Sequence, residues 1–151
     1  MTDYTQPRNI TLTDGQYSKG PGKILYFDQS DNKASLGAAA KFALGVTAGD
    51  NSRDSAGVLD ATNATVSFYP LGNVLMIQAL NGETWKTGEL AYAGANGLVT
   101  KTAGSDKKIG IYVGEGVTTA ALVVNGLGDS GATEGTMIPI ATAGAEIGEN
   151  A

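Results

Sequence analysis

Short runs of β-branched and aromatic residues recur along the chain, separated by Gly, Asn and Asp. Runs of this length between turn-forming residues are typical of β-strands. Polar and apolar side chains alternate most clearly over residues 65–69, which indicates a strand with one buried face. The pattern predicts strands at residues 23–28, 64–70, 73–80, 89–94, 97–102, 108–114, 120–126 and 136–142.

One hairpin and one helix-tolerant stretch stand out in this pattern. Asn96 and Gly97 lie between two strand-like runs, and Asn-Gly is the strongest short signal for a hairpin turn. The Ala-rich stretch 34–45 tolerates a turn or two of helix, although Gly37 and Gly45 bracket it closely. Because glycine recurs throughout, we predict an all-β fold, a small Gly-rich β-barrel or sandwich with at most one short helix.

Composition divides the chain into three segments. Residues 1–22 are polar and end in Gly-Pro-Gly, which indicates an extended N-terminal arm. Within this arm, Ile10 and Leu12 are suited to adding an edge strand to another sheet. We expect a β domain over residues 23–142 and a C-terminal tail over residues 143–151.

The β domain contains an internal similarity. Residues 25–50 align with residues 90–116, each starting with a Tyr-containing strand and closing on Leu-Gly-Val or Ile-Gly-Ile. Two interpretations are open. Residues 23–65 and 66–142 are related halves, which gives a second β subdomain, or two Gly-rich segments resemble each other by composition alone.

Charge and hydropathy limit the classes of partner. The net charge is −5, and the ten Lys and Arg residues are scattered, with Lys107 and Lys108 the only adjacent pair. Nucleic-acid binding requires clustered basic residues, so we expect no nucleic-acid partner. The N-terminus has no secretory signal pattern and no apolar run is long enough to span a bilayer, so we expect a soluble protein with no membrane partner.

Reactive side chains are scarce. The chain has no His and no Cys, which removes the commonest general base, the thiolate nucleophile and any Ser-His-Asp arrangement. Asp28 and Asp31 do not form a calcium loop, because Lys33 stands where the turn glycine belongs. We therefore expect no catalytic residues, no cofactor and no metal site, although counting alone does not exclude a pair of glycosidase-type carboxylates.

The single tryptophan, Trp85, lies between Glu83 and Lys86. A lone Trp beside charged residues serves either as a core anchor or as an anchor of a subunit interface, where Trp is enriched. Both interpretations of Trp85 are open.

Residues 66–116 combine a strand with four elements in a fixed order. The elements are Gly88–Tyr92, the Asn96–Gly97 turn, the small-residue stretch Thr102–Asp106 and the segment Ile109–Gly116. In this order and spacing the chain resembles the small head-decoration, or capsid cement, proteins of tailed bacteriophages.

The resemblance implies a structural protein without enzymatic activity. Such a protein binds as a homotrimer on the outside of an assembled head and clamps neighbouring major capsid protein subunits. It is made in the host cytoplasm and resides on the outer capsid surface of the virion. The resemblance also implies that the N-terminal arm reaches the shell. Trp85 is a candidate subunit-interface anchor because Trp is enriched at interfaces. The candidate capsid-contact residues of the arm are Tyr4, Pro7, Arg8, Ile10 and Leu12.

Two other functions remain open. A carbohydrate- or receptor-binding β-module of a virion would need exposed aromatic residues gathered on one face. A glycan hydrolase would need two carboxylates facing each other in a cleft, with at least one desolvated. The candidate aromatic residues for the binding platform are Tyr26, Phe27, Tyr69 and Trp85.

Overall fold

The computed structural model is all-β. It describes residues 8–12, 21–28, 32–36, 42–48, 65–94, 97–103, 107–120 and 136–145, and among these residues it contains no α-helix. The all-β prediction is therefore confirmed. The strands are β1 (Arg8–Thr11), β2 (Ile24–Asp28), β3 (Lys33–Ser35), β4 (Phe42–Thr47), β5 (Thr65–Pro70), β6 (Val74–Gln78), β7 (Thr84–Trp85), β8 (Leu90–Ala93), β9 (Val99–Thr100), β10 (Lys108–Tyr112), β11 (Val117–Thr118) and β12 (Met137–Ala141).

Most predicted strands correspond to strands of the structure. The predicted strand over residues 120–126 lies outside the described residues apart from Ala120. The helix-tolerant stretch 34–45 contributes instead to β3 and β4, and its residues 37–41 also lie outside the described part. In the described residues, no helix is long and apolar enough to cross a membrane.

The strands form two five-stranded sheets and one two-stranded ribbon. The first sheet has the order β1-β5-β4-β2-β3, the second has the order β6-β12-β10-β8-β9, and β7 pairs with β11. Neighbouring strands within the sheets are antiparallel. The sheets are not closed into barrels, so the sandwich alternative fits and the barrel does not.

The second sheet repeats the order of the first. Replacing β1, β2, β3, β4 and β5 by β6, β8, β9, β10 and β12 converts one strand order into the other. We call the described residues from 8 to 70 repeat 1 and those from 74 to 141 repeat 2. The β7–β11 ribbon belongs to repeat 2.

A β-bulge occurs at the same place in both repeats. In repeat 1, Leu25 of β2 pairs with Gly45 of β4, but the next residue, Tyr26, pairs with Ala43. Leu44 is therefore the extra residue of the bulge. In repeat 2, Ala91 of β8 pairs with Gly110 of β10, but the next residue, Tyr92, pairs with Lys108. Ile109 is therefore the extra residue of the bulge. Because a bulge bends a strand and increases its twist, both sheets curl at equivalent positions.

The glycine beside each bulge is required by a close approach of the next strand. A Cβ atom built on Gly45 would lie inside van der Waals contact of the Tyr69 carbonyl oxygen on β5. A Cβ atom built on Gly110 would meet the Ala141 carbonyl oxygen on β12 in the same way. Both strand pairs therefore depend on the absence of a side chain at this point.

The edges of each curled sheet meet at one parallel bridge. Leu12 bridges to Ala34 in repeat 1, and Ala79 bridges to Val99 in repeat 2. The bridge joins the first and last strands in the order of each sheet, so equivalent edges are brought together in both repeats.

The turns before β2 and β8 also match. Gly22 and Gly88 have φ angles of 89° and 91°. The Gly22 amide donates to the Thr47 carbonyl oxygen, and the Gly88 amide donates to the Tyr112 carbonyl oxygen, each at 2.8 Å. Shared composition alone does not place bulges, bridges and left-handed glycines in one register. The structure thus contains the same five-stranded order twice, and the first set includes β1.

Apolar packing divides into two clusters. One cluster lies inside repeat 1 and contains Leu12, Leu25, Ala34, Val66 and Phe68. The other joins the repeats, since it combines residues of β2 and β4 with the interior of repeat 2. Its members from repeat 1 are Ile24, Tyr26, Ala43 and Val46, and those from repeat 2 include Ile77, Trp85, Val99, Ile109, Tyr112, Ile138 and Ile140.

We predict that Gly110→Ala destabilises the protein because the new methyl group meets the backbone of β12. The expected loss in the free energy of unfolding is about 1–3 kcal/mol, the usual range for over-packing. Gly116→Ala is the matched control, since a Cβ there has its nearest neighbour, the Trp85 carbonyl oxygen, at 3.7 Å. Urea unfolding followed by circular dichroism measures both variants. Equal midpoints for the two variants would contradict the required close approach.

Candidate interaction surface

The segment predicted to be a separate arm is in part a strand of the chain's own sheet. Residues Arg8–Thr11 pair with β5, and Leu12 is fully buried in the core cluster of repeat 1. Ile10 is half-buried against that cluster, whereas Arg8 is exposed. The Leu12 side chain is therefore not available to a capsid in this form. Tyr4 and Pro7 lie outside the described residues.

The structure places Trp85 in the core. Its exposed fraction is 0%, and its ring lies 5.7 Å from that of Tyr112 between centroids, at an angle of 59°. The Trp85 backbone pairs with Val117 in the β7–β11 ribbon, so the indole fixes this ribbon to the interior of repeat 2. This position corresponds to the core-anchor interpretation, because a partner cannot reach the ring without unfolding the ribbon.

We predict that the fluorescence of Trp85, the only tryptophan, reports a dry interior. The emission of the native protein should lie at short wavelength, and acrylamide should quench it several-fold less than in the urea-unfolded chain. Steady-state quenching measures both states. Comparable quenching before and after unfolding would show that Trp85 is at a surface.

The carboxylates of Glu83 and Glu89 are bound by neighbouring donors. A Glu83 oxygen accepts from the Thr100 hydroxyl at 2.7 Å and from the Lys101 amide at 3.2 Å. Glu89 accepts from the Lys101 ammonium at 2.9 Å and from the Lys86 amide at 2.6 Å. Among the described residues, no group of three or more acidic, His or Cys side chains could hold a metal ion.

The Lys101 hydrogen bond lowers the pKa of Glu89, and the Lys86 amide lowers it further. Both donors favour the ionised carboxylate. A general acid of a glycan hydrolase needs a raised pKa, which is the opposite direction. The geometry at Glu89 is therefore that of a surface ion pair.

We predict that Lys101→Ala raises the pKa of Glu89 toward its ordinary value, because the principal donor is removed. The matched control is Lys86→Ala, which keeps the backbone amide that donates to Glu89. Carbon-13 NMR titration of the Glu89 side chain measures the shift. A rise as large in the control as in Lys101→Ala would contradict the assigned cause.

The aromatic residues proposed as a binding platform are not gathered on one exposed face. Tyr26 and Trp85 are fully buried, and Phe27 is half-buried. Of the four, Tyr69 alone is exposed. The geometry therefore gives no support to stacking of a sugar on these rings.

Exposed apolar side chains form a row across repeat 2. Val74 on β6 pairs with Ala141 on β12, Ala141 pairs with Ile111 on β10, and Ile111 pairs with Leu90 on β8. Val74, Ile111 and Leu90 are all exposed. The row therefore crosses four neighbouring strands on the same side of the sheet.

A second apolar row runs beside the first. Met76 pairs with Pro139, and the Val113 amide donates to the Pro139 carbonyl oxygen at 3.1 Å. Met76 and Val113 are exposed. We call these two rows together the outer face of repeat 2. It consists of Val74, Met76, Leu90, Ile111, Val113, Pro139 and Ala141.

The outer face of repeat 2 is unusual for a solvated sheet. An antiparallel sheet with one side packed on the core usually presents polar residues on the other side. Here the alternate positions are apolar on both sides, since Ile138 and Ile140 point inward from the same strand as Pro139. A contiguous exposed apolar patch typically marks a surface that another protein covers.

A groove between the two repeats continues this surface. Its cavity volume is about 330 Å³, and repeat 1 contributes Val46 and Tyr69 to its lining. The remaining lining is mostly apolar and includes Val74, Met76 and Met137 of repeat 2. The apolar outer face thus extends to the junction of the repeats.

Sequence analysis did not single out the outer face. The available signal was the apolar run over residues 73–80, in which both alternate sets of positions are largely apolar, and the alternate apolar residues Ile109, Ile111 and Val113. Such runs indicate a strand covered on both sides. The sequence does not tell whether the second cover is part of the same chain.

No protein-family profile, curated protein or solved structure matches the chain.

Proposed function

We propose that the protein is a structural decoration protein of a tailed-phage head. It assembles as a homotrimer, binds the outside of the assembled shell and clamps neighbouring major capsid protein subunits. The observation that carries this proposal is the outer face of repeat 2, an apolar sheet surface that is suited to cover by protein.

The chemistry of this surface suits a stabilising role. Burying apolar area contributes about 25 cal/mol per Å², so a few exposed aliphatic side chains stabilise a contact without catalytic groups. Val74 is 59% exposed and Met76 is 48% exposed, so both have area left to bury. The outer face then holds the trimer together, and repetition of a separate shell contact around the head converts modest single-site affinity into tight attachment.

The shell contact is assigned to the N-terminal segment. β1 is the first strand in the order of its sheet, and apart from the Leu12–Ala34 bridge its outer edge pairs with no other strand of the described residues. Open strand edges accept further strands through backbone hydrogen bonds. Arg8 and Asn9 are exposed on β1. Tyr4 and Pro7 precede this edge in the chain, so they remain candidate shell contacts within the proposal.

The carbohydrate-binding alternative has less support. Its platform requires several exposed rings on one face, whereas Tyr26 and Trp85 are in the core. The decoration function uses the apolar face that the structure presents, and it needs no such platform.

We predict that the purified full chain has a solution mass of about three times 15.3 kDa. It should also sediment with empty heads of the encoding phage that were assembled without it. Heads that already carry a full complement of the protein serve as the control and should take up none. Multi-angle light scattering and co-sedimentation measure the two properties. Absence of saturable head binding, together with binding to a glycan array, would contradict the decoration function and favour the carbohydrate-binding module.

A further inference from the structure

We infer that a second copy of this chain covers the outer face of repeat 2, through the same contact that repeat 1 makes with repeat 2 inside one chain. The inference rests on the self-association included in the proposed function, and it names the surface that self-association uses. The observation behind it is that equivalent faces of the two repeats are covered to very different extents.

Part of the counterpart of the outer face is buried in repeat 1. Ile24 pairs with Val46 just before the bulge, as Leu90 pairs with Ile111 before the equivalent bulge. Ile24 and Val46 are 0% and 2% exposed, whereas Leu90 and Ile111 are 42% and 43% exposed. The Leu90–Ile111 part of the outer face therefore corresponds to a core surface of repeat 1. Asn9 and Tyr69, the counterparts of Met76 and Ala141, are exposed in repeat 1 as well.

Repeat 2 covers the buried face of repeat 1 within the chain. Ile24 and Val46 belong to the core cluster that includes Ile77 and Val99 of repeat 2. The turn before β2 is held by Gln78, whose amide donates to the Gly22 carbonyl oxygen at 2.8 Å. The Gln78 side-chain amide also donates to the Pro21 carbonyl oxygen at 2.7 Å.

The surface of repeat 2 that makes this contact is its covering edge. Gly97 belongs to it, because a Cβ built there would lie 2.9 Å from the Ile24 carbonyl oxygen. Met137 belongs to it, because its methyl carbon would lie 2.7 Å from a Cβ on Gly22. We define the covering edge of repeat 2 as Gln78, Gly97 and Met137.

Repeat 1 has an equivalent edge that is more exposed. Thr11 pairs with Thr65 as Gln78 pairs with Met137, and Asn32 has the left-handed φ of 59° at the turn where Gly97 has 77°. Asn32 and Thr65 are exposed and Thr11 is half-buried, whereas Gln78 and Gly97 are buried. The covering edge of repeat 1 consists of Thr11, Asn32 and Thr65.

One chain therefore exposes both halves of its own internal contact. The outer face of repeat 2 is one half, and the covering edge of repeat 1 is the other. A second chain that places its covering edge on the outer face repeats the internal contact head to tail, which is a heterologous interface. A closed ring of three such chains, the number in the proposed function, contains six copies of the five-stranded unit.

The contact between chains is more polar than the one within the chain. Thr65 replaces Met137 and Asn32 replaces Gly97, so less apolar area is buried on the covering edge. The outer face keeps aliphatic side chains, with Leu90 in place of Ile24 and Ile111 in place of Val46. Association between chains is consequently expected to be reversible and dependent on concentration.

Cross-linking between single-cysteine variants tests the head-to-tail geometry, and the chain offers no native cysteine to interfere. Since Gly97 lies against Ile24, the counterpart positions Asn32 and Leu90 should be adjacent across the interface. A short bismaleimide should join Leu90→Cys to Asn32→Cys in an equimolar mixture, and it should join neither variant to itself. Thr65→Cys, on regular strand backbone, replaces Asn32→Cys if the left-handed position proves too strained for Cys.

Two cross-linking outcomes would overturn the inference. Cross-linking of Leu90→Cys to itself would show two outer faces packed on each other about a two-fold axis. Absence of product in the mixtures of Leu90→Cys with either partner variant would show that the two surfaces do not meet.

A matched pair of charge substitutions tests the same surface by affinity. Leu90→Glu should weaken self-association by at least roughly tenfold, because it removes a Leu from the contact and buries a carboxylate there. Leu80→Glu is the control, since Leu80 has the same 42% exposure but lies outside the outer face. Light scattering over a concentration series measures both. Equal weakening by the two variants would contradict the assigned surface.

Failure of this inference is distinguishable from failure of the proposed function. A trimer that binds heads without the Leu90–Asn32 cross-link would reject the interface and keep the decoration function. The cross-link in a protein that never binds heads would keep the interface and reject the decoration function.

Discussion

The fold depends on the close approach of neighbouring strands at two glycines. At Gly45 and Gly110 the carbonyl oxygen of the adjacent strand occupies the space that a Cβ would need. This approach lies beside a bulge in each sheet, and the bulge supplies the bend that curls the sheet toward its own edge. The parallel bridges Leu12–Ala34 and Ala79–Val99 follow from that curl. A small-residue composition is therefore a packing requirement at these positions, which explains part of the glycine content.

The five-stranded unit occurs twice in the chain, and equivalent surfaces of its two copies differ in solvent exposure. The internal contact covers the pair Ile24–Val46 of repeat 1, whereas the equivalent pair Leu90–Ile111 of repeat 2 is exposed. The exposed copy keeps the apolar residues of the buried copy, with Leu90 and Ile111 in the places of Ile24 and Val46. Solvent contact alone does not account for aliphatic residues at these positions, since polar side chains are compatible with the exposed face of an antiparallel sheet. A function based on contact between proteins accounts for them.

The sequence was informative about local structure and less so about what covers each surface. Alternation over residues 65–69 and the Asn96-Gly97 turn predicted β5 and the β8–β9 hairpin, because both signals are local. The sequence similarity between residues 25–50 and 90–116 pointed to the repeat, but not to β1 as its first strand. The pairing of β1 with β5 joins residues far apart in the chain. Ile10 and Leu12 therefore indicated an added edge strand, but not that its partner is β5 of the same chain. Likewise Trp85 beside two charged residues was compatible with core and interface, and only the position of the β7–β11 ribbon decides between them.

A head-to-tail contact also carries a risk that the rest of the molecule must limit. Heterologous contacts either close into a ring or continue into a filament, and an apolar face on a chain with a net charge of only −5 favours continued growth. The assembly stops growing when the rotations from one repeat to the next add up to a full turn after a whole number of chains. The internal contact then does more than stabilise one chain, because the rotation it sets between repeat 1 and repeat 2 is also the rotation that decides closure. The junction at Gln78, which holds the Pro21–Gly22 turn by two hydrogen bonds, is suited to fixing that angle.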